Sequence, residues 1–204
     1  MELTEYNRDQ LEALLMVHHH LRGLPASGLE ALKEIIRPYL RFRADVSAFQ
    51  ERYLSDVCTK KCFTNQTSAC CGREGIATFF SDVVINVLFS SDREVDRLVK
   101  VLSGNQAGFK CIYLGQSGCL WHLKPIVCEM FLCDHAKESL HRKDQDLLRS
   151  WEDLRSKEKA FTWPDRPVLF DELEEEFMEA GLESPLMYFH RSPGLLRVKA
   201  EAAQ

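Results

Sequence analysis

Residues 111–133 read Cys-Ile-Tyr-Leu-Gly-Gln-Ser-Gly-Cys-Leu-Trp-His-Leu-Lys-Pro-Ile-Val-Cys-Glu-Met-Phe-Leu-Cys. This second cysteine segment holds four of the chain's eight cysteines: Cys111, Cys119, Cys128 and Cys133. The first cysteine segment, residues 58–71, holds the other four: Cys58, Cys62, Cys70 and Cys71. A fold that brings the two segments together assembles eight sulfur ligands. We therefore predict a metal or iron–sulfur site in which all eight take part.

The composition is typical of a globular protein with a core of its own. With 204 residues and 45% hydrophobic composition, the chain can fold as a single domain without disulfides. The N-terminus does not resemble a signal peptide, and no stretch reaches the roughly eighteen apolar residues that span a bilayer. We predict a cytoplasmic protein without a membrane partner, in which metal ligands, a redox device or buried thiols are favoured over disulfides. The net charge of −5 argues against a broad nucleic-acid surface.

Helical patterns lead into the first cysteine segment. Apolar residues at helical spacing predict a helix over 8–22 and a longer one that begins at Ser27, where Ser27 and Glu30 have the form of a capping box. If this longer helix continues past Cys58 for one more turn, Cys58 and Cys62 lie on one face and can reach a single ion. The alternative is one buried structural cysteine and one exposed cysteine.

The adjacent pair Cys70 and Cys71 needs a separate explanation. Adjacent side chains diverge in most backbone conformations. The pair therefore serves two sites, or one sulfur binds metal while the other packs. Lys60 and Lys61 lie close in sequence, and their positive charge favours thiolate over thiol.

Residues 78–103 predict a pair of short helices. The second begins at Ser91, which forms a capping box with Glu94. Asp82 lies near the start of the first helix, where a negative charge is favourable. A role for Asp82 at the metal is the alternative.

Within the second cysteine segment, Pro125 suits the first position of a helix, so that Cys128 lies one turn in and Cys133 at or beyond the end. A five-residue step turns an α-helix through about 140°. Cys128 and Cys133 can therefore share a site only if the helix ends or bends between them. His122 and His135 are possible nitrogen ligands in place of a cysteine.

A turn is also predicted in this segment. Gly115 and Gly118 flank Gln116-Ser117, which is typical of a tight turn. Such a turn brings the sulfurs of Cys111 and Cys119 together.

The order of certain residues along both segments resembles the pattern of a known family. These residues are the first-segment cysteines followed by Cys111, Gly118-Cys119, Lys124-Pro125, Cys128, Phe131 and Cys133. This order resembles the YkgJ-type CxxCxxCC family of bacterial zinc- or iron-chelating proteins. Lys124 and Glu129 stand where that family usually has arginine, and the first segment is less compact than the CxxCxxCC motif. Members are often labelled iron–sulfur oxidoreductases, but the resemblance implies chelation more firmly than any reaction.

The rest of the chain is interpreted as scaffold. We predict a mainly α fold, a single helical domain over 1–204 wrapped round a cysteine-rich core, residues 58–133, with irregular cysteine-bearing loops. Residues 1–57 and 134–196 form the helical scaffold, in which the acidic run Glu174–Glu176 is an exposed face. Residues 197–204 are expected to be a disordered tail.

Two functions remain open at this point. The first is a metal-binding protein that holds zinc or iron for structure, storage or delivery. The second is an iron–sulfur protein that acts as an oxidoreductase or electron carrier. No catalytic motif names a substrate, which favours the first. We further expect Cys58, Cys62, Cys111 and Cys128 to bind one centre from both halves of the site.

Overall fold

The computed structural model describes residues 3–72, 77–104 and 108–204. These residues are mainly helical, as predicted. The α-helices are α1 (Glu5–Gly23), α2 (Ala26–Ser55), α3 (Phe80–Phe89), α4 (Asp92–Leu102), α5 (Ile126–Glu129), α6 (Asp134–Lys143), α7 (Gln145–Thr162), α8 (Leu169–Glu179), α9 (Tyr188–Arg191) and α10 (Pro193–Ala202). A π-helix, Asp56–Phe63, follows α2, and a hairpin joins β1 (Leu114–Gly115) to β2 (Gly118–Cys119).

The core is built from apolar helix faces that meet around α3. The predicted helix over 8–22 is confirmed as α1, whose buried Leu14 and Val17 face α3 and α4. On α2, Tyr39 packs edge-to-face against Phe161 and Phe170, with ring centroids 5.3 and 5.5 Å apart. Burial of aromatic rings in such pairs is a large source of stability.

The start of α2 differs from the prediction. The helix begins at Ala26 with Pro25 as its N-cap, so Ser27 lies inside the first turn and cannot cap it. Proline fixes its own φ near the helical value, here −64°, and its carbonyl accepts from the amides of Gly28 and Leu29. Glu30 pairs with Lys33 at 2.7 Å instead of closing a capping box.

The capping box of α4 does form. Glu94 Oε2 accepts from the Ser91 amide at 2.8 Å and from the Ser91 hydroxyl at 2.7 Å. No helix in the described part of the chain is long and apolar enough to cross a membrane.

The C-terminal region corrects two predictions. Residues 197–202, expected to be disordered, continue α10, because Lys199 Nζ lies 2.6 Å from Asp171 Oδ1 on α8. Glu174, expected to be exposed, is fully buried. Its Oε2 accepts from the amide of His190 at 3.2 Å and lies 3.1 Å from His190 Nδ1. Burial raises the pKa of Glu174 to about 8.

Candidate functional site

The second cysteine segment begins with the predicted tight turn. Strands β1 and β2 pair antiparallel through the two-residue loop Gln116-Ser117, and Gly118 has a φ of +119° that favours glycine. The Leu120 amide extends the pairing by donating to the Tyr113 carbonyl at 2.8 Å. The two stretches of chain on either side of the turn therefore run side by side. The first contains Cys111 and the second Cys119.

Backbone amides donate to the sulfurs on both sides of this hairpin. Burial raises the pKa of Cys111 to about 11, while the amides of Tyr113 and Leu114 donate to its sulfur and act in the opposite direction. Burial likewise raises the pKa of Cys119, opposed by the amide of Trp121. Amide hydrogen bonds favour the thiolate over the thiol. Burial is nevertheless the larger effect, so the pKa values of both thiols are raised.

Asp82 positions the segment that carries Cys128. Its buried carboxylate accepts from the Phe79 amide at 3.1 Å and from the Ile126 amide at 3.0 Å. One side chain thus satisfies amides at the start of both α3 and α5. Burial raises the pKa of Asp82 to about 7. The predicted place of Asp82 at the start of α3 is confirmed, but burial disfavours its charge, and its second partner on α5 was not predicted from the sequence.

Asn86, one turn further along α3, holds the residues before α5. Its Oδ1 accepts from the Leu123 amide at 2.8 Å, and its Nδ2 donates to the Leu123 carbonyl at 2.9 Å. Pro125 is the N-cap of α5 and not its first residue, so the helix begins at Ile126, one residue later than predicted. Cys128 lies in α5 and Cys133 caps α6, which confirms that the helix ends between them.

Side chains of helix α2 also contact α5 and the residues that precede it. Arg43 is buried and donates to the Tyr39 hydroxyl at 2.8 Å and to the Lys124 carbonyl at 2.7 Å. Its guanidinium also lies 3.7 Å from the buried carboxylate of Glu129, which Lys124 approaches at 3.3 Å. Gln50 donates to the Glu129 carbonyl at 2.6 Å. A basic residue on the apolar face of α2, next to Phe42, was the sequence signal for this contact.

The first cysteine segment has a different backbone from the one predicted. Cys58 and Cys62 lie in the π-helix, at the end of which the Thr64 amide bonds to the Thr59 carbonyl five residues earlier, at 3.1 Å. In an α-helix a four-residue step goes about 40° past a full turn, and the wider turn of a π-helix reduces this offset. The four-residue spacing therefore still places Cys58 and Cys62 on one side of the helix.

The chain reverses direction after the π-helix. Gln66 and Ser68 have φ values of +57° and +35°, in the left-handed region that non-glycine residues rarely adopt. The reversal brings the Ala69 amide to 3.4 Å from the Cys62 sulfur. Lys110 Nζ, from the other segment, donates to the Ser68 carbonyl at 3.2 Å.

The two cysteine segments meet, as predicted. The Cys111 amide donates to the Cys71 carbonyl at 2.9 Å, and Gly72 forms an antiparallel bridge with Lys110. All eight cysteines are free thiols: Cys58 and Cys70 are exposed and the other six are half-buried.

The cysteine thiols influence one another's pKa values. A hydrogen bond from Cys70 lowers the pKa of Cys71, and the same bond raises that of Cys70. Burial, followed by the negative charges of Cys133, Cys70 and Cys62, raises the pKa of Cys58. The thiols of the two segments are therefore near enough for their charges to interact.

The metal assignment itself remains a prediction. Among the described residues, no three His, Cys, Asp or Glu side chains are arranged to hold one metal ion. His122 Nδ1 lies 3.3 Å from Glu94 Oε1 at the start of α4, and His135 is exposed. Comparisons of the chain with protein-family models, curated proteins and solved structures each found no match.

Proposed function

We propose that this chain holds zinc or iron through thiolates of Cys58, Cys62, Cys70, Cys71, Cys111, Cys119, Cys128 and Cys133, for structure, storage or delivery. The observation that carries the proposal is the meeting of both cysteine segments, where the Cys111 amide donates to the Cys71 carbonyl at 2.9 Å and the Ala69 amide lies 3.4 Å from the Cys62 sulfur. A hydrogen bond from an amide favours the thiolate, which is the form of cysteine that binds metal.

The charges around the site also fit thiolate ligands. Burial raises the pKa values of Cys58 and Cys119, but the ammonium group of Lys124 lowers both. Lys124 stays half-exposed while its carbonyl is held by Arg43, so its charge is kept beside the sulfurs. A divalent ion supplies the remaining positive charge, since thiols lose protons when they coordinate metal.

A buried donor beside Cys119 supports the same interpretation. Trp121 is buried, and its indole N–H has no hydrogen-bond partner among the described residues. Its ring packs edge-to-face on Tyr113, with centroids 5.1 Å apart, which fixes its position. Buried donors normally have an acceptor. A thiolate or a cluster sulfide is an acceptor that this region can provide.

The decisive experiment is anaerobic purification followed by elemental analysis, acid-labile sulfide assay and a visible spectrum. Colourless protein with stoichiometric zinc supports chelation. Brown protein with iron, sulfide and a reversible reduction step supports the alternative, an iron–sulfur oxidoreductase or electron carrier. The His122→Ala variant is the matched control, because His122 faces Glu94 and should not change metal content. Metal-free protein with full native structure contradicts both functions.

A further inference from the structure

The C-terminal helices α9 and α10 are joined to α8 by a cluster of ionisable side chains outside the two cysteine segments. His190 on α9 faces two carboxylates of α8: its Nδ1 lies 3.1 Å from Glu174 Oε2, and its Nε2 lies 3.4 Å from Asp171 Oδ1. The His190 amide also donates to Glu174 Oε2 at 3.2 Å. Lys199 on α10 lies 2.6 Å from Asp171 Oδ1. One cluster therefore connects three helices.

This arrangement needs one proton more than a neutral imidazole and two carboxylates provide. A neutral imidazole has a single N–H, so it can donate to only one of two carboxylates that face its two nitrogens. Both contacts are satisfied if the imidazole is doubly protonated. They are also satisfied if Glu174 is protonated and donates to Nδ1 while the Nε2–H donates to Asp171. One proton shared by Glu174 and His190 therefore completes the cluster, and without it an imidazole lone pair faces a carboxylate oxygen.

The burial of Glu174 makes the loss of this proton unfavourable. Glu174 is fully buried, and its Oε1 has no hydrogen-bond partner among the described residues. A buried carboxylate with an unsatisfied oxygen disfavours the charged form. Burial raises the pKa of Glu174 to about 8, to which the charge of Asp171 also contributes, while Lys199 acts in the opposite direction. The proton is therefore held at neutral pH and is lost as pH rises through about 8.

The other titratable groups near the cluster come from α9 and α1. Burial, Asp9 on α1 and Glu174 raise the pKa of Tyr188 on α9. His20 on α1 contacts the ring of Phe177 on α8, with centroids 4.8 Å apart. Helices α3 and α7 also pack against α8, but among the described residues neither forms an ion pair with the cluster. Within the described part of the chain, the lysine on α10 and the shared proton are thus the only positive charges paired with the two carboxylates.

The position of α10 depends on α9. No residue of α10 is buried, and the helix packs against α9, which in turn packs against α8. The buried Phe189 on α9 contacts Phe79 and Phe170, with ring centroids 5.7 and 6.3 Å apart. The Leu186 carbonyl accepts from the Phe80 amide at 3.1 Å. A change that weakens the contact between α8 and α9 therefore loosens α10 as well.

We propose that Asp171, Glu174 and His190 form a proton-dependent clasp, which keeps α9 and α10 closed on α8 and opens them as pH rises. Opening separates residues 186–202 from α8 and leaves the remaining helices folded. The clasp belongs to the helical scaffold and does not depend on metal binding by the cysteines.

The test is amide hydrogen exchange of the full-length, reduced protein, measured by mass spectrometry from about pH 6 to about pH 9 and corrected for the intrinsic effect of pH on exchange. Loss of one proton on opening raises the opening equilibrium of residues 186–202 by up to about tenfold per pH unit, whereas residues 5–23 of α1 should show no such rise. Glu174→Gln should abolish the rise. The glutamine N–H donates to His190 Nδ1, and the glutamine oxygen accepts from the His190 amide, so that no titrating proton is required. Glu175→Gln, at an exposed position of α8, is the control and should behave as wild type.

The outcomes distinguish the clasp from a general effect of pH on the fold. Opening of residues 186–202 that does not change with pH in wild type overturns the proposal, and this comparison requires no variant to fold. An equal rise in α1 overturns it too, because the whole domain then responds. A rise that persists in Glu174→Gln, with helices intact by circular dichroism, assigns the proton to another group and also overturns it. Metal loss from thiolates occurs on acidification, which is the opposite direction.

Discussion

The two cysteine segments carry equal numbers of thiols but are held by the protein in different ways. Around α5, the second segment is fixed by the half-buried Gln50 and by three buried polar side chains of α2 and α3: Arg43, Asp82 and Asn86. The first segment is a π-helix followed by a reversal through two left-handed residues, with Cys58 and Cys70 exposed. We therefore predict that protein contacts alone order the second segment, whereas the first depends more strongly on the proposed metal.

Metal removal is expected to produce the largest difference between the two cysteine segments. Structural zinc contributes on the order of 10 kcal/mol in small zinc-binding peptides. Anaerobic chelation should therefore accelerate amide hydrogen exchange strongly in residues 56–72 and much less in residues 120–130. Exchange measured by mass spectrometry before and after verified metal removal checks this. Equal acceleration in both ranges would contradict the contrast between the segments.

Removing the Arg43 side chain should lower the free energy of unfolding, because its contacts hold the second cysteine segment in place. Arg43→Met leaves the Glu129 carboxylate buried with Lys124 as its remaining cationic partner and takes a donor from the Lys124 carbonyl. Breaking a buried ion pair from one side costs about 3–5 kcal/mol. Chemical denaturation measures the free energy of unfolding. Arg41→Met, on the exposed side of α2, is the control and should change it by less than about 0.5 kcal/mol.

A smaller effect is expected at Asp82. Asp82→Ala leaves the amides of Phe79 and Ile126 without their acceptor. An unsatisfied buried donor costs about 1–3 kcal/mol, but removing a carboxylate that burial disfavours offsets part of this, so we expect a net loss of about 2 kcal/mol. Thermal and urea unfolding measure the loss, with exposed Asp96→Ala as the control. A neutral result would mean that Asp82 does not hold α5.

The last effect is expected in the helical scaffold, where a change of one pH unit alters stability by only about 1 kcal/mol. It distinguishes the pH response of Glu174 from that of the thiols. Burial raises the pKa of Glu174 from 4.5 to about 8. The protonated form is favoured in the folded state, so its contribution to stability is full below the unfolded value of 4.5 and is lost as pH rises through about 8. Glu174→Gln keeps a neutral side chain and should remove a slope of about 1 kcal/mol per pH unit within this window.

Urea unfolding of metal-free protein at several pH values measures the slope. The control is Glu175→Gln, because Glu175 is exposed on the same helix. A slope that survives in Glu174→Gln would assign the pH response to another group.

Local patterns predicted much of the fold. The helix α1, the capping box at Ser91 and the hairpin at Gly115–Gly118 follow from residues close in sequence. The meeting of the two cysteine segments was also predicted, from the crowding of thiols.

The contacts that position the site could not be predicted in the same way. Asp82 and Ile126 are 44 residues apart, and Arg43 and the Lys124 carbonyl are 81 apart. A carboxylate near the start of a helix is already explained by its favourable interaction with that helix. The sequence therefore gives no reason to expect a second, distant partner. Glu174 is the same case: its two acidic neighbours suggest an exposed face, but its burial depends on α9 packing over it.

The π-helix sets the spacing between the end of α2 and the chain reversal that follows Cys62. Its hydrogen bonds span five residues in place of four, so each turn is wider and shorter along the axis than an α-helical turn. Deleting Thr59 would leave one residue fewer between Cys58 and Cys62 and would let this part of the chain close into α-helical turns. The shortened segment would keep all four of its cysteines, but Cys62 would move from the position in which its sulfur meets the Ala69 amide.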